Sequence, residues 1–372
     1  ESGSSGVCPS LELLERSSES SVAVASSCTR ASFFRDQDKW VTNSRLGVSG
    51  MMGNQLFQLA ALIAFAHRHP GMQVVIPDIP WSGREQERLR VFELLAIDLP
   101  LMPVRYLQVR VQSTWVERHF HYDEQLEEME GDVNTDLLGR FQSHAYFADC
   151  EEEVRSRMQI RPELRRRAAA VVSRVRTELG SQLAKVVSLH VRRGDNVPSE
   201  RPKIYDGWRR EAPELYGQVG DSIAPHLLMD SRYIQRATAE MEEGGWCGSE
   251  PCVYLVFADT PADVEWCRQN LPAHVRVKFY SDYVPLMATW EKGAGVKDHG
   301  KRAAPLTDIL DLAGIAACDG HIVSTSTFSW WGAWLNDKPD KKVIVPTPWF
   351  NPQHPMGQQS DTSTMHPRGW TE

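Results

Sequence analysis

From Lys185 onward, short apolar runs alternate with segments of helical period, and few folds accommodate that alternation. "KVVSLHVRR" (185–193), "VYLVFAD" (253–259), "VRVKFY" (275–280), "HIVST" (321–325) and "KKVIVP" (341–346) read as strands. Between them, "PHLLMDSRYIQRATAEMEE" (225–243), "PADVEWCRQNL" (261–271), "LTDILDLAGIAAC" (306–318) and "TFSWWGAWL" (327–335) read as helices. Near-continuous apolar strands separated by helices mean a parallel sheet covered on both faces. Such sheets bind ligands beyond the carboxyl ends of their strands. Three of these strands end in polar groups: His190–Asp195, Asp259 and Ser324–Thr327. Their convergence predicts a site at that edge.

"SLHVRRGD" (188–195) carries a histidine, two arginines and an aspartate out of an apolar run. Unpaired buried charge is costly, so these groups must be paired or face a ligand. Residues 185–210 hold seven basic and three acidic side chains, a local +4 in a chain of net charge −8. The overall charge argues against nucleic-acid binding by the whole molecule. The local excess reads either as a solvated face or as an anion pocket. Arginine presents a rigid fork of donors suited to phosphate oxygens. Arg192 and Arg193 are consecutive on a strand, so their side chains point to opposite faces. One can serve a ligand while the other supports the fold. Ser326, Thr327 and Ser329 open a helix, where hydroxyls cap free N–H groups or where those N–H groups bind phosphate. Asp259 can accept hydrogen bonds from sugar hydroxyls or from guanine. Trp330 and Trp334 share a helix face and belong to the core.

The first half is less regular. "RLGVSGMMGNQLFQLAALIAFAHRH" (45–69) reads as a short strand, a glycine turn and a helix. Gly50 and Gly53 permit a tight turn, and Leu56, Leu59, Ala60 and Ile63 share one helical face. The turn fits neither GxGxxG nor GxxxxGK[ST], and Asn54 also reads as a plain helix cap. "MQVVIPD" (72–78) is a following strand. "PELRRRAAAVVSRVRTEL" (162–179), with Pro at its start, is a helix linking the halves. Residues 1–39 contain eleven serines and little periodicity, the pattern of a flexible leader. Residues 351–372 read as a similar polar tail. The seven cysteines lack the pairing of a zinc site; one or two disulfides or buried free thiols both fit. No apolar run approaches the ~20 residues that cross a bilayer.

Four motifs recur in a fixed order: "GMMGNQLFQLA" (50–60), "FQSHAYF" (141–147), "HVRRGD" (190–195) and "TSTFSWWGAWL" (325–335). In pattern and order they resemble the alpha-1,2-fucosyltransferase family, glycosyltransferase family 11, over about residues 47–346. Thr325 stands where the family usually has Asn, Thr260 where it has a second Asp, and Asn196 where an aromatic is common. The resemblance implies a GT-B-like α/β fold, two Rossmann-like domains facing across a cleft. The implied organisation is a leader or stem (1–44), an acceptor-side domain (45–180), a GDP-fucose-binding domain (181–350) and the tail (351–372).

The implied reaction is inverting, metal-independent transfer of fucose from GDP-fucose to the 2-hydroxyl of a galactoside, with no cofactor. The only DxD, "DQD" at 36–38, lies in the leader. Donor-side candidates are His190, Arg192, Arg193, Asp259, Ser326, Thr327 and Ser329. Asn54 and Gln55 would reach across the cleft from the acceptor side. Arg192 would stabilise the leaving phosphate, and Asp195 is the candidate general base. Asp195 could instead orient an arginine, with the proton passing late to the leaving phosphate. The alternatives are another GDP-sugar enzyme, such as a protein O-fucosyltransferase-like one, or a non-catalytic GDP-sugar-binding protein. A serine-rich leader before such a body suggests a Golgi stem, and a chain that does not open on Met suggests a missing anchor; cytosolic or organellar placement is the alternative.

Overall fold

A computed structural model describes residues 39–48, 50–78, 89–193, 224–283 and 307–372. The first half builds a wholly parallel four-stranded sheet. Strand β1 (Lys39–Thr42) leads into helix α1 (Met52–Arg68) and returns as β2 (Met72–Val74). Two short strands, β3 (Ile76–Asp78) and β4 (Leu101–Pro103), pair beside it, with α2 (Val91–Leu94) between them. Then come α3 (Val104–Arg110), β5 (Ser113–Val116), β6 (Thr135–Leu138), α4 (Glu151–Arg157) and α5 (Pro162–Glu178). The sheet order is β2-β1-β6-β5, parallel throughout.

The second half carries β7 (Val186–Val191), α6 (Ser231–Glu242), β8 (Val253–Ala258), α7 (Pro261–Asn270) and β9 (Arg276–Phe279). It continues with α8 (Thr307–Ala317), β10 (Gly320–Ile322), α9 (Thr327–Leu335), β11 (Val343–Ile344) and the short α10 (Pro355–Gln359). Its five strands lie in the order β11-β10-β7-β8-β9, again all parallel. Every residue of β7 is buried, as a central strand covered on both faces requires. Two parallel, helix-flanked sheets are the GT-B-like α/β architecture.

One apolar core joins the halves. Helix α1 is apolar nearly all round and buries residues on every face, the signature of a helix enclosed by protein. It packs on its own sheet and also on α9: Phe57 lies 4.6 Å from Trp330 and 5.0 Å from Trp331, ring centre to ring centre. Trp330, Trp331 and Trp334 are fully buried, as their placement in the core required.

Several boundaries differ from the sequence reading. The strand before α1 is Lys39–Thr42, inside the segment assigned to the leader, and Trp40 and Val41 are buried in it. Residues 44–48 turn instead, because Gly47 adopts φ +88° and Leu46 and Val48 bond back to Asn43 and Arg45. "MQVVIPD" divides between two sheets. Helix α6 starts only at Ser231, where the Asp230 carboxylate caps the Tyr233 N–H at 2.9 Å. Helix α5 turns its buried face to α8, on the second sheet.

The residues read as a free tail are docked. Met356 and Met365 are buried, and Thr371 bonds to both Val343 and Val345 alongside β11. The Trp330 indole N–H donates to His366 Nδ1 at 3.1 Å, and Ser143 Oγ donates to the Thr364 carbonyl at 2.7 Å. Few apolar side chains sit in 351–372, so the segment reads as polar although the ones it has are anchors. Cys247 and Cys252 form a disulfide, while Cys150, Cys267 and Cys318 are buried thiols. No helix among the described residues is long and apolar enough to cross a membrane.

Candidate active site

Strand order places the site. In the second sheet the chain reverses direction of growth between β7 and β10, and in the first between β1 and β6. Ligands of open α/β sheets bind beyond the carboxyl ends of strands at such reversals. "HVRRGD" leaves β7 and "STSTFSWW" leaves β10; "GMMGNQ" follows β1 and "FQS" follows β6. All four motifs therefore emerge at the two reversal points.

On the second sheet, His190 is almost fully buried. Its Nδ1 shares a 2.7 Å hydrogen bond with Ser324 Oγ, and its Nε2 faces Asp259 Oδ1 at 3.5 Å. Phe328 lies against the ring at 5.6 Å between centres. Arg192 reaches Asp259 Oδ2 at 4.0 Å and donates to Ser326 Oγ at 3.5 Å. Desolvation on this crowded strand end raises the Asp259 carboxyl, but the His190 hydrogen bond and the charges of His190 and Arg192 hold it below the usual carboxylate range. The result is a fixed carboxylate beside a guanidinium at the carboxyl end of β7.

Two helix N-termini meet here. Ser326 stands at the N-cap of α9, yet its side chain does not cap that helix, and α1 also begins without a side-chain cap. A helix start carries a partial positive charge and N–H groups that lack an intrahelical i−4 partner. Gly53 makes the approach possible: a Cβ there would lie 2.5 Å from Thr327 Oγ1 and 2.7 Å from Phe328 N. The Thr327 hydroxyl donates to Asn54 Oδ1 at 3.2 Å, and the Gln142 amide donates to the same oxygen at 2.7 Å. Together with Arg192, these elements form a site suited to an anion bound between the halves.

The structure thus brings together His190, Arg192, Asp259, Ser326, Thr327 and Asn54. Arg193 turns the other way: its guanidinium stacks 3.9 Å from the Trp266 ring centre and donates to the Met229 carbonyl at 2.8 Å. Ser329 is buried, donating to the Ser326 carbonyl at 3.2 Å and accepting from the Ser324 N–H at 3.3 Å. Gln55 faces inward, where its Oε1 accepts from the Arg90 N–H at 3.1 Å. Arg90 then crosses to Asp308 of α8 at 2.8 Å. Asp195 and the "DQD" at 36–38 lie outside the described residues. Thr260 caps α7 through the Asp263 N–H at 3.1 Å, so that departure from the family pattern falls on a helix cap. Among the described residues, no group of three or more His, Cys, Asp or Glu side chains is arranged to hold a metal ion.

Sequence reasoning named Ser324 only as part of the polar strand end Ser324–Thr327, and it missed Gln142 and the Arg90–Asp308 pair. Gln142 sits inside the quoted motif "FQSHAYF" and could have been named. Arg90 carries no local signal.

Comparison with known proteins gives this arrangement a family. Residues 16–206 and 216–364 match the description of glycosyl transferase family 11. The chain belongs to that family. It is 27% identical over 290 residues to galactoside alpha-(1,2)-fucosyltransferase 1 of Plecturocebus brunneus, covering 77% of this chain and 63% of that protein. It thus spans less than two thirds of the length of that relative. It is 22% identical to the alpha-1,2-colitosyltransferase of Escherichia coli, covering 82% of this chain and 91% of that one. Among solved structures, POFUT1 in complex with GDP-fucose is similar at 12% identity and a TM-score of 0.43, covering 84% of this chain and 99% of that one.

Proposed function

We propose that this family 11 chain transfers L-fucose from GDP-fucose to the 2-hydroxyl of a galactoside, with inversion at the fucose C1 and without a metal ion. The observation that carries the reading is the meeting of two helix N-termini without side-chain caps at paired sheet reversals, with Arg192 donating to Ser326 at one of them. The names of the two relatives differ in the sugar, fucose or colitose, and agree on the alpha-1,2 linkage.

The departing diphosphate develops negative charge. Preorganised donors aimed at that charge stabilise it without reorganisation. Here the Arg192 guanidinium and the N–H groups opening α9 supply them. Asp259, held ionised, accepts from the guanosine. Buried His190, tied to Ser324, backs Asp259 and orients it. Asn54, fixed by Gln142 and Thr327, faces the acceptor side. Asp195, two residues after Arg193 in the sequence and outside the described residues, is assigned as the base that takes the acceptor proton. The Cys247–Cys252 disulfide supports residence in an oxidising compartment.

The test is calorimetric titration of the purified chain with GDP and with UDP in EDTA, followed by GDP-fucose with lactose. GDP binding well above UDP binding, with an alpha-1,2-fucosylated product, is the expected result. A folded chain that binds neither nucleotide refutes the donor site. Binding without turnover on any galactoside refutes the transferase reading in favour of a GDP-sugar-binding protein.

A further inference from the structure

The corner that sets Gln142 against Asn54 is held by a carboxylate with no direct place in the chemistry above. Glu117 follows β5 directly, its N–H continuing the ladder to the Leu138 carbonyl at 2.8 Å. Its side chain turns under the loop leaving β6. There the Arg140 N–H donates to it at 2.7 Å, and the Phe141 N–H donates to its two oxygens at 3.1 and 3.2 Å. The Tyr146 hydroxyl, shared with the His121 carbonyl, lies 3.3 Å from Oε1.

The approach depends on Gly139, where a Cβ would lie 2.6 Å from the Glu117 Cβ. The clamped residue is strained: Phe141 sits at φ +53°, the sole non-glycine with positive φ among the described residues. Bulky residues adopt that conformation only when their surroundings impose it. Immediately after it, Gln142 bonds Asn54, which bonds Thr327 across the cleft.

We propose that Glu117 is a positioning residue: its carboxylate clamps the Phe141 corner and thereby holds Gln142 and Asn54 in place against Thr327. This rests on the functional reading only for its effect on turnover, since the clamp itself is geometry. Ionised carboxylates make the stronger acceptors. Burial, opposed by the Phe141, Arg140 and Tyr146 hydrogen bonds and the Arg140 charge, pushes the Glu117 carboxyl up to about 7. The clamp therefore weakens as pH falls through neutrality. The groups facing it are Arg140 from its own loop and Tyr146 from the following helical turn, with Asp123 and the His121 backbone beyond Tyr146.

Two readouts test this on the full chain. The first is hydrogen exchange of the Arg140 and Phe141 amides at pH 8 and pH 6, corrected for intrinsic rates. Protection is expected to fall about fivefold at pH 6, the ratio separating a charge-assisted from a neutral bond, and to be low and pH-independent in Glu117→Gln. The second is kcat/KM for transfer. Glu117→Gln is expected to lose about tenfold at pH 8, in kcat more than in KM for GDP-fucose, and to lack the wild-type acid limb near pH 7. Equal protection at both pH values, or a variant with wild-type exchange, overturns the proposal. Wild-type protein without transferase activity counts against the function alone, because the exchange measurement still decides the clamp.

Discussion

Replacing Gly53 by alanine should do the opposite of what helix propensity predicts. Gly53 lies in the first turn of α1, and an alanine inside a helix is ordinarily ~0.5–1 kcal/mol better than glycine. Here the added Cβ would lie 2.5 Å from Thr327 Oγ1, 2.7 Å from Phe328 N and 2.7 Å from Thr327 C. The Thr327 hydroxyl can rotate away by giving up its bond to Asn54. The other two contacts are backbone atoms that open α9 and cannot rotate. The helix starts must then separate by roughly 0.8 Å to restore ordinary contact near ~3.5 Å. Overpacking of this kind costs ~1–3 kcal/mol, which exceeds the propensity gain and leaves about 1–2 kcal/mol of net destabilisation. With an unfolding entropy of ~2.1 cal/mol/K per residue, a chain of 372 residues shifts by about 1.3 °C per kcal/mol, so Gly53→Ala should melt roughly 1–3 °C lower. Misplacement approaching 1 Å costs about 10²-fold in rate, so kcat/KM should fall more steeply than stability. The assays are a thermal melt and initial rates with GDP-fucose and lactose. A variant as stable and as active as wild type refutes the claim that the two helix starts are in enforced contact.

Arg192→Ala should lose more than about tenfold in kcat/KM together with GDP affinity, since a charge-assisted bond to phosphate is worth at least ~1.4 kcal/mol. Arg193→Ala should keep GDP affinity within about twofold while lowering the melting temperature, because Arg193 spans Trp266 and the Met229 carbonyl; the reverse pattern in a nucleotide titration would exchange the two roles. Removing residues 351–372 should destabilise the chain by on the order of 3–6 kcal/mol, from burial of Met356 and Met365 at ~1.5–3 kcal/mol each; a urea melt unchanged by truncation would show the segment to be loosely held.

What could be read from the sequence follows the physics of each element. The second sheet was legible because β7 and β8 are apolar on both faces and their ends abruptly turn polar, as His190–Arg193 and Asp259 do. Consecutive arginines correctly implied opposite faces, but no rule of local sequence says which one meets the ligand. That choice is made by Trp266, one strand and one helix away. Gln55 was read with Asn54 because they share a motif, yet successive helix positions point about 100° apart, so one meets the cleft and the other the interior. β1 was invisible because four residues carry almost no periodic signal, and its assignment depends on pairing with β2 and β6. Phe141 was quoted within a motif without hint of its strained backbone, which exists only because Glu117 and Gly139 meet beneath it.

The same residues explain why this arrangement needs a rigid core behind it. Two helix N-termini each carry about half a positive charge, and Arg192 adds a full one. Asp259, 4.0 Å from Arg192, offsets part of that charge, and the two helix starts, set face to face, still repel. The opposing force is packing and bonding between the halves: Phe57 against Trp330 and Trp331, Gly53 against Thr327, and two crossings from one motif, Asn54 to Thr327 and Gln55 through Arg90 to Asp308. Apolar burial is insensitive to the sign of nearby charge, so it can hold like charges together where a polar hinge would let them part. On the function proposed above, an anion entering the site would find its donors already placed, and its binding would relieve a repulsion instead of creating order. This accounts for the division of labour within "GMMGNQLFQLA": Gly53 and Asn54 address the cleft, while Gln55, Leu56, Phe57 and Leu59 are buried in the interior that keeps the cleft in shape.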